Sequence, residues 1–200
     1  LLALDAPELL AEEPRNPHVP ALTPDHPAYI IYKSGSTGQP KGVLNRHGGL
    51  CNLATAQQAL FGNGPGSRVL QFASFSFDAS VWEMTMALCS GAELHLAPRD
   101  QLRPGAPLLQ TLCARAITHL LLPSSALALW DDPAALPTMT LLVGGDACPP
   151  ALAAKWSARH RFYNAYGPSE TTVAVTFYRC QPEHAGPVPL GLPIANTQIH

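Results

Sequence analysis

Three short runs, His119-Leu120-Leu121-Leu122, Leu141-Leu142-Val143 and Arg161-Phe162-Tyr163-Asn164, are separated by stretches of helical period at residues 124–130 and 150–160. Runs this short and this continuously apolar suit strands buried on both faces, and the helices between them supply the crossovers that parallel strands require. The beat predicts an α/β fold with a mostly parallel sheet covered by helices. Outward from it, strands are expected over 28–32, 69–72, 93–96 and 173–178, with a short apolar stretch at 43–44. Helices are expected over 48–60, 79–89 and 107–116. Ser124 is expected to cap the helix over 124–130, and prolines to open those at 107 and 150. Residues 1–27 carry Pro7, Pro14, Pro17, Pro20 and Pro24 and close on Pro27, so they read as a lead-in running extended across a surface, with the folded region over 28–200.

The 200 residues are 46% apolar and only 13% charged, and 12 basic against 14 acidic groups leave a formal net charge of −2. That composition suits a globular domain, and the lack of any Lys or Arg cluster argues against electrostatic nucleic-acid binding. No apolar run approaches the ~20 residues of a membrane span and no signal peptide opens the chain, so a soluble, cytoplasmic protein is expected. Cys51, Cys89, Cys113, Cys148 and Cys180 contain no C-x-x-C pair, so neither a zinc site nor a disulfide framework follows, and most are expected to be small buried hydrophobes. His47, His95 and His119 lack partner geometry and are assigned no role.

Open α/β sheets bind ligands beyond the carboxyl ends of their strands. Three unusual segments fall there: 33–42, 144–149 and 165–170. The first holds Ser34-Gly35-Ser36-Thr37-Gly38-Gln39-Pro40-Lys41-Gly42, in which glycines let backbone N–H groups approach an anion, hydroxyls add donors and Lys41 adds a mobile charge. A flexible turn is the plainer reading, but Pro40 stiffens the loop and Lys41 is one of three lysines in the chain. A P-loop fails, because Pro40 stands where its second glycine belongs and Gly42 where its Ser or Thr belongs. In Asn164-Ala165-Tyr166-Gly167-Pro168-Ser169-Glu170-Thr171-Thr172, the tyrosine can stack on a purine, a hydroxyl can donate to phosphate and the carboxylate can hold magnesium. Read plainly, it is a strand-to-helix turn with Ser169 as N-cap and Glu170 in the first turn. The third segment, Gly144-Gly145-Asp146-Ala147-Cys148-Pro149-Pro150, reads as a glycine turn into a helix begun at proline. In Phe75-Ser76-Phe77-Asp78-Ala79-Ser80-Val81-Trp82, Asp78 can cap a helix or offer a partly desolvated carboxylate to an ammonium group, and Trp82 lies on the same side, four residues on.

The stretch Tyr32 to Val43 closely resembles the signature loop of the adenylate-forming superfamily that includes acyl-CoA synthetases, luciferases and the adenylation domains of nonribosomal peptide synthetases. The resemblance implies that Ser34, Gly35, Ser36, Thr37, Gly38 and Lys41 handle the β- and γ-phosphates of ATP, with Thr37 and Lys41 catalytic. Lys33 departs from the usual threonine. The run 164–172 resembles the second signature, implying that Asn164 and Tyr166 contact adenine and that Ala165 and Gly167 also belong to the nucleotide site. By the same likeness Ser169, in place of a threonine, touches the α-phosphate, and Glu170 binds magnesium, both being catalytic together with Thr37 and Lys41. Gly144, Gly145 and Asp146 resemble one wall of the adenine site, with Asp146 replacing a frequent glutamate. The segment around Asp78 resembles the peptide-synthetase branch, where this aspartate pairs with the α-amino group of an amino acid; acyl- and aryl-CoA ligases typically lack it.

The same resemblance lines the side-chain pocket with Ala79, Trp82, Leu121, Leu142, Gly144, Ala165, Val173 and Ala174, without charge or hydroxyl. A charged substrate would be left unpaired there, whereas burying an apolar one gains roughly 1.5–3 kcal/mol. The expected substrate is a hydrophobic amino acid, leucine first and phenylalanine second, activated with ATP and Mg2+ and passed to a phosphopantetheine carrier beside condensation domains. The family's domain is more than twice this length. Its ribose-binding aspartate, hinge and C-terminal subdomain have no counterpart in the 200 residues, which are expected to form part of the N-terminal subdomain and to be nearly inactive alone. A CoA ligase of the same superfamily and a degenerate nucleotide-binding module stand as alternatives.

Overall fold

The computed structural model describes residues 19–34 and 38–199. Strand β1 (Pro27–Lys33) and strand β2 (Lys41–Arg46) pair antiparallel, with Ile31 opposite Val43 and Lys33 opposite Lys41. The main sheet has seven strands: β3 (Arg68–Leu70), β4 (Glu93–His95), β5 (His119–Leu122), β6 (Thr140–Gly144), β7 (Arg161–Tyr166), β8 (Thr176–Arg179) and β9 (Leu192–Pro193). Their order is β4-β3-β5-β6-β7-β8-β9, parallel through β7 and antiparallel at the last two pairings.

Period-two alternation explains why the central strands are apolar throughout. Leu120, Leu122, Leu141, Val143 and Phe162 point into one core, and the interleaved Leu121, Leu142 and Tyr163 into the other. Helices α1 (His47–Phe61) and α2 (Ala79–Leu88) cover the second core with Leu53, Phe61, Val81, Trp82 and Met86. Helices α3 (Ala106–Ala114), α4 (Ser124–Leu127) and α5 (Pro150–Ser157) cover the first with Leu108, Leu112, Leu127, Leu152 and Trp156. A left-handed Gly62 ends α1, as a residue without Cβ does most cheaply. The buried Gln57 amide of α1 donates to the Trp82 carbonyl at 3.1 Å, fixing α2 against its neighbour.

Several expectations are corrected. Helix α4 ends at Leu127, and Ser124 is its first helical residue rather than its cap, because Pro123 holds the extended cap position. Strand β8 begins at Thr176 rather than 173, since Thr172 and Val173 adopt left-handed backbone at φ 64° and 71°. Strand β3 stops at Leu70 and β7 runs on to Tyr166. Residues 1–18 of the lead-in lie outside the described residues. Residues 19–26 form turns rather than an extended run, closed by Leu22 N–H to the Val19 carbonyl and His26 N–H to the Thr23 carbonyl. Cys51, Cys89 and Cys113 are exposed on or at the end of helices and only Cys148 and Cys180 are buried, because helical position rather than cysteine's apolar character decides their burial. No disulfide occurs among the described residues. No helix among them is long and apolar enough to cross a membrane.

Candidate functional site

The carboxyl ends of β5, β6 and β7 open into one cavity of about 410 Å³. Its walls bring together Asp78, just before α2, and Ala79 and Trp82 from α2 with Leu121, Gly144 and Ala165 from the three strands, and Val173 and Ala174 from the turn after β7. Of the eight residues expected to line a side-chain pocket, only Leu142 is absent from these walls. It is fully buried two residues earlier in β6, on the same face as Gly144 but in the core below. Phe72, Ala73 and Ser74, from the segment after β3, complete the walls, and no local pattern marked them.

A second cavity of about 600 Å³ adjoins the first and shares Gly145, Asp146, Ala165, Tyr166 and Gly167 with it. Asn164 lines this second cavity, with its side-chain amide donated to the Pro189 carbonyl at 2.9 Å. Tyr166, 46% exposed, lines both spaces. Pro187, Val188 and Leu190 close the far side, a contribution from well beyond Asn164 in sequence that only the fold reveals. Burial pushes the Cys148 thiol beside this cavity up to about 11, so it stays protonated and inert as a nucleophile at neutral pH.

The turn after β7 carries the chemistry-bearing groups and is tightly held. Val175 N–H donates to the Tyr166 carbonyl at 2.8 Å, closing the loop. Inside it Ser169–Thr171 forms a 3-10 turn that starts at Ser169, with Pro168 at the cap position expected of Ser169. The reason is the same as at Ser124: proline's fixed extended geometry occupies the position before the turn. Val173, β-branched and left-handed, is strained, and such strain persists only where surrounding contacts over-determine it. Those contacts come from the hairpin. Buried Asn45 of β2 donates to the Ser169 carbonyl at 3.1 Å and accepts from the Thr172 hydroxyl at 3.1 Å. Lys33 Nζ lies 2.5 Å from Glu170 Oε1 and holds that exposed carboxyl below its usual range. The unusual lysine is therefore the partner of the expected metal-binding carboxylate.

Asp78 precedes α2, yet its carboxylate caps nothing. Instead its Oδ2 accepts from the Ser169 hydroxyl at 2.5 Å. Ser34, Gly38 and Lys41 lie along the hairpin and its loop, with Lys41 exposed at the start of β2. Gly35, Ser36 and Thr37 lie outside the described residues.

The expectation of walls without charge is corrected at Glu83, 1% exposed, which contributes to the first cavity. Its carboxylate accepts from Ala73 N–H at 3.1 and 3.2 Å and from the Gln71 amide at 3.4 Å, tying the segment before Asp78 to α2. Burial outweighs these hydrogen bonds and raises its pKa to about 8. The unfolded carboxyl loses its proton near 4.5 and the folded one near 8, so stability declines as pH rises through that window. Glu83→Gln, which keeps an acceptor for Ala73, is expected to show no such decline: its thermal midpoint relative to the parent rises steadily from pH 5 to 8. A midpoint difference that stays constant over that range contradicts the shift.

The sequence model of the family described as AMP-binding enzyme matches residues 2–200. A probable non-canonical nonribosomal peptide synthetase, CymA of Salinispora arenicola, is 46% identical over 201 residues, which is 100% of this chain and 2% of that protein. Among solved structures, the Klebsiella oxytoca NpsA N-terminal subdomain in complex with anthranilyl-AMSN superposes with a TM-score of 0.76 at 32% identity, covering 94% of this chain and 51% of that one. The Vibrio cholerae adenylation domain AlmE in complex with glycyl-adenosine-5'-phosphate gives 0.77 at 29% identity, covering 86% and 34%. The chain thus spans a small part of the synthetase and about half of the NpsA subdomain.

Proposed function

Because the chain belongs to the AMP-binding enzyme family, we propose that it activates a hydrophobic amino acid with ATP, as part of a nonribosomal peptide synthetase. The substrate carboxylate attacks the α-phosphorus, its oxygen forming the new P–O bond while pyrophosphate leaves, and the product is an aminoacyl-adenylate. The acyl group then passes to the phosphopantetheine thiol of a carrier domain. The observation that carries this reading is a largely apolar cavity whose wall holds the half-buried Asp78 carboxylate, with Glu83 engaged by Ala73 and Asp146 on the wall shared with a second cavity alongside. An amino acid bound with its ammonium on Asp78 extends its side chain against Trp82, Leu121 and Ala174, and its carboxylate lies toward the shared wall of Gly145, Tyr166 and Gly167. Adenine occupies the second cavity against Tyr166.

Phosphate contacts fall to Ser169, Ser34 and Lys41, with Gly35, Ser36, Thr37 and Gly38 completing the loop. Glu170 already attracts a cation, the Lys33 ammonium. One carboxylate suffices for a magnesium ion that keeps substrate phosphates in its shell, so this residue fits that role. The ion supplies neutralisation of charge on the polyphosphate. Catalysis here is mainly positioning and charge stabilisation.

The substrate follows from the walls. Leucine fills the apolar space, phenylalanine is the second candidate, and neighbouring aliphatic residues are discriminated by about 10- to 200-fold per methylene. The test is amino-acid-dependent ATP–pyrophosphate exchange on the intact protein across the twenty standard amino acids. Leucine is expected to give the fastest exchange, phenylalanine the next, and Asp, Glu, Lys and Arg background rates. A maximum with any charged amino acid contradicts the reading.

A further inference from the structure

The side chains read as serving two different reactants are bonded to each other. Ser169, assigned to the α-phosphate, donates its hydroxyl to Oδ2 of Asp78, assigned to the amine, at 2.5 Å. A serine hydroxyl carries a single proton, so while Asp78 accepts it no phosphate oxygen can. We propose that Ser169 couples the two halves of the site, its proton held by Asp78 until a substrate ammonium takes that carboxylate and releases the hydroxyl to the nucleotide. The proposal rests on the reading of Asp78 as the amine-binding carboxylate and of Ser169 as the phosphate contact.

The surrounding structure confines this exchange to one side-chain torsion. The Ser169 carbonyl accepts from the Asn45 amide and from Thr172 N–H, which pins its backbone. The Asp78 carbonyl accepts from the N–H groups of Val81 and Trp82, which pins the start of α2. Rotation about χ1 of Ser169 is therefore enough to switch partners, with no movement of either element. The ammonium wins the contest because it brings three donors and a full positive charge to the carboxylate, where the hydroxyl brings one donor and no charge. Nucleotide bound first makes the reciprocal demand on the same proton, so each ligand favours the other.

The test is binding rather than turnover. Affinity of the intact protein for α,β-methylene-ATP is measured by calorimetry with and without saturating leucine, and that for leucine with and without the nucleotide. Leucine is expected to tighten nucleotide binding about tenfold, and nucleotide to tighten leucine by the same factor. Ser169→Ala binds nucleotide more weakly in both conditions, but the factor falls to within about twofold of unity. With no hydroxyl competing for Asp78, leucine alone binds that variant about tenfold tighter than the parent, the same factor as the coupling. A merely structural serine gives no such gain, and Ser169→Thr restores the coupling. An undiminished factor in Ser169→Ala, or none in the parent, overturns the coupling. Asp78→Asn separates the two levels: it must weaken leucine binding in the absence of nucleotide. If it does not, or if the parent fails to bind leucine, the amine reading itself falls and the coupling with it.

Discussion

Asp78→Asn is expected to lower leucine-dependent exchange about a hundred- to a thousandfold, equivalent to roughly 3–4 kcal/mol of lost stabilisation. The substitution keeps shape and one acceptor, removes the charge and turns the other acceptor into an NH2 donor. Asp78 is half-buried beside the apolar surface of Phe77 and Trp82, so an ammonium brought there loses much of its hydration and depends on the carboxylate to replace it. The loss should fall on the amino acid's KM and on kcat/KM, while nucleotide affinity in the absence of amino acid is retained or raised, because Ser169 loses its charged acceptor. Exchange within about threefold of the parent contradicts the assignment of the amine to Asp78.

Gly167→Ala has the second large effect, for a steric reason. A Cβ on Gly167 would stand 2.5 Å from Cα of Ala174 and 2.6 Å from the Val173 carbonyl oxygen. Both are backbone atoms of the returning arm of the loop, so no side-chain rotation relieves the contact. The loop that carries Ser169 and Glu170 and lines both cavities must open. Overpacking of this kind costs about 1–3 kcal/mol, which in a chain of this size lowers the thermal midpoint by roughly 2–10 °C. Because the displaced groups face the reacting atoms, exchange is expected to fall about a hundredfold or more, beyond what the stability loss explains. A variant with an unchanged midpoint and near-parental exchange contradicts the view that close backbone approach at Gly167 shapes the site.

The central sheet was legible because both faces of its strands are covered, which leaves runs such as 120–122 and 141–143 apolar at every position. Boundaries failed where proline or unusual torsions intervene: Pro123 displaces Ser124 from the cap, and left-handed Thr172 and Val173 delay β8. The candidate pocket was legible through likeness and spacing, as Asp78, Trp82 and the strand ends converge on one cavity. Leu142 fell short of it because alternation specifies the face of a strand but not the depth along it. Asn45 and Glu83 escaped notice for another reason. Each is a polar residue whose meaning depends on a buried partner far away in sequence or in a neighbouring loop, and neither periodicity nor local motif encodes that pairing. Lys33 was visible as an oddity, but its link to Glu170 required the hairpin to be docked on the turn after β7.

The reading of Asp78 as the amine partner requires a substrate that is a carboxylic acid and also carries an amine. It is tested most directly by ATP–pyrophosphate exchange on the intact protein with leucine set against 4-methylpentanoic acid, which has the same carbon skeleton and no amino group. Exchange with leucine and background with the des-amino acid is the predicted result. Equal or faster exchange with 4-methylpentanoic acid would contradict it and move the protein to the acyl-CoA ligase branch of its family.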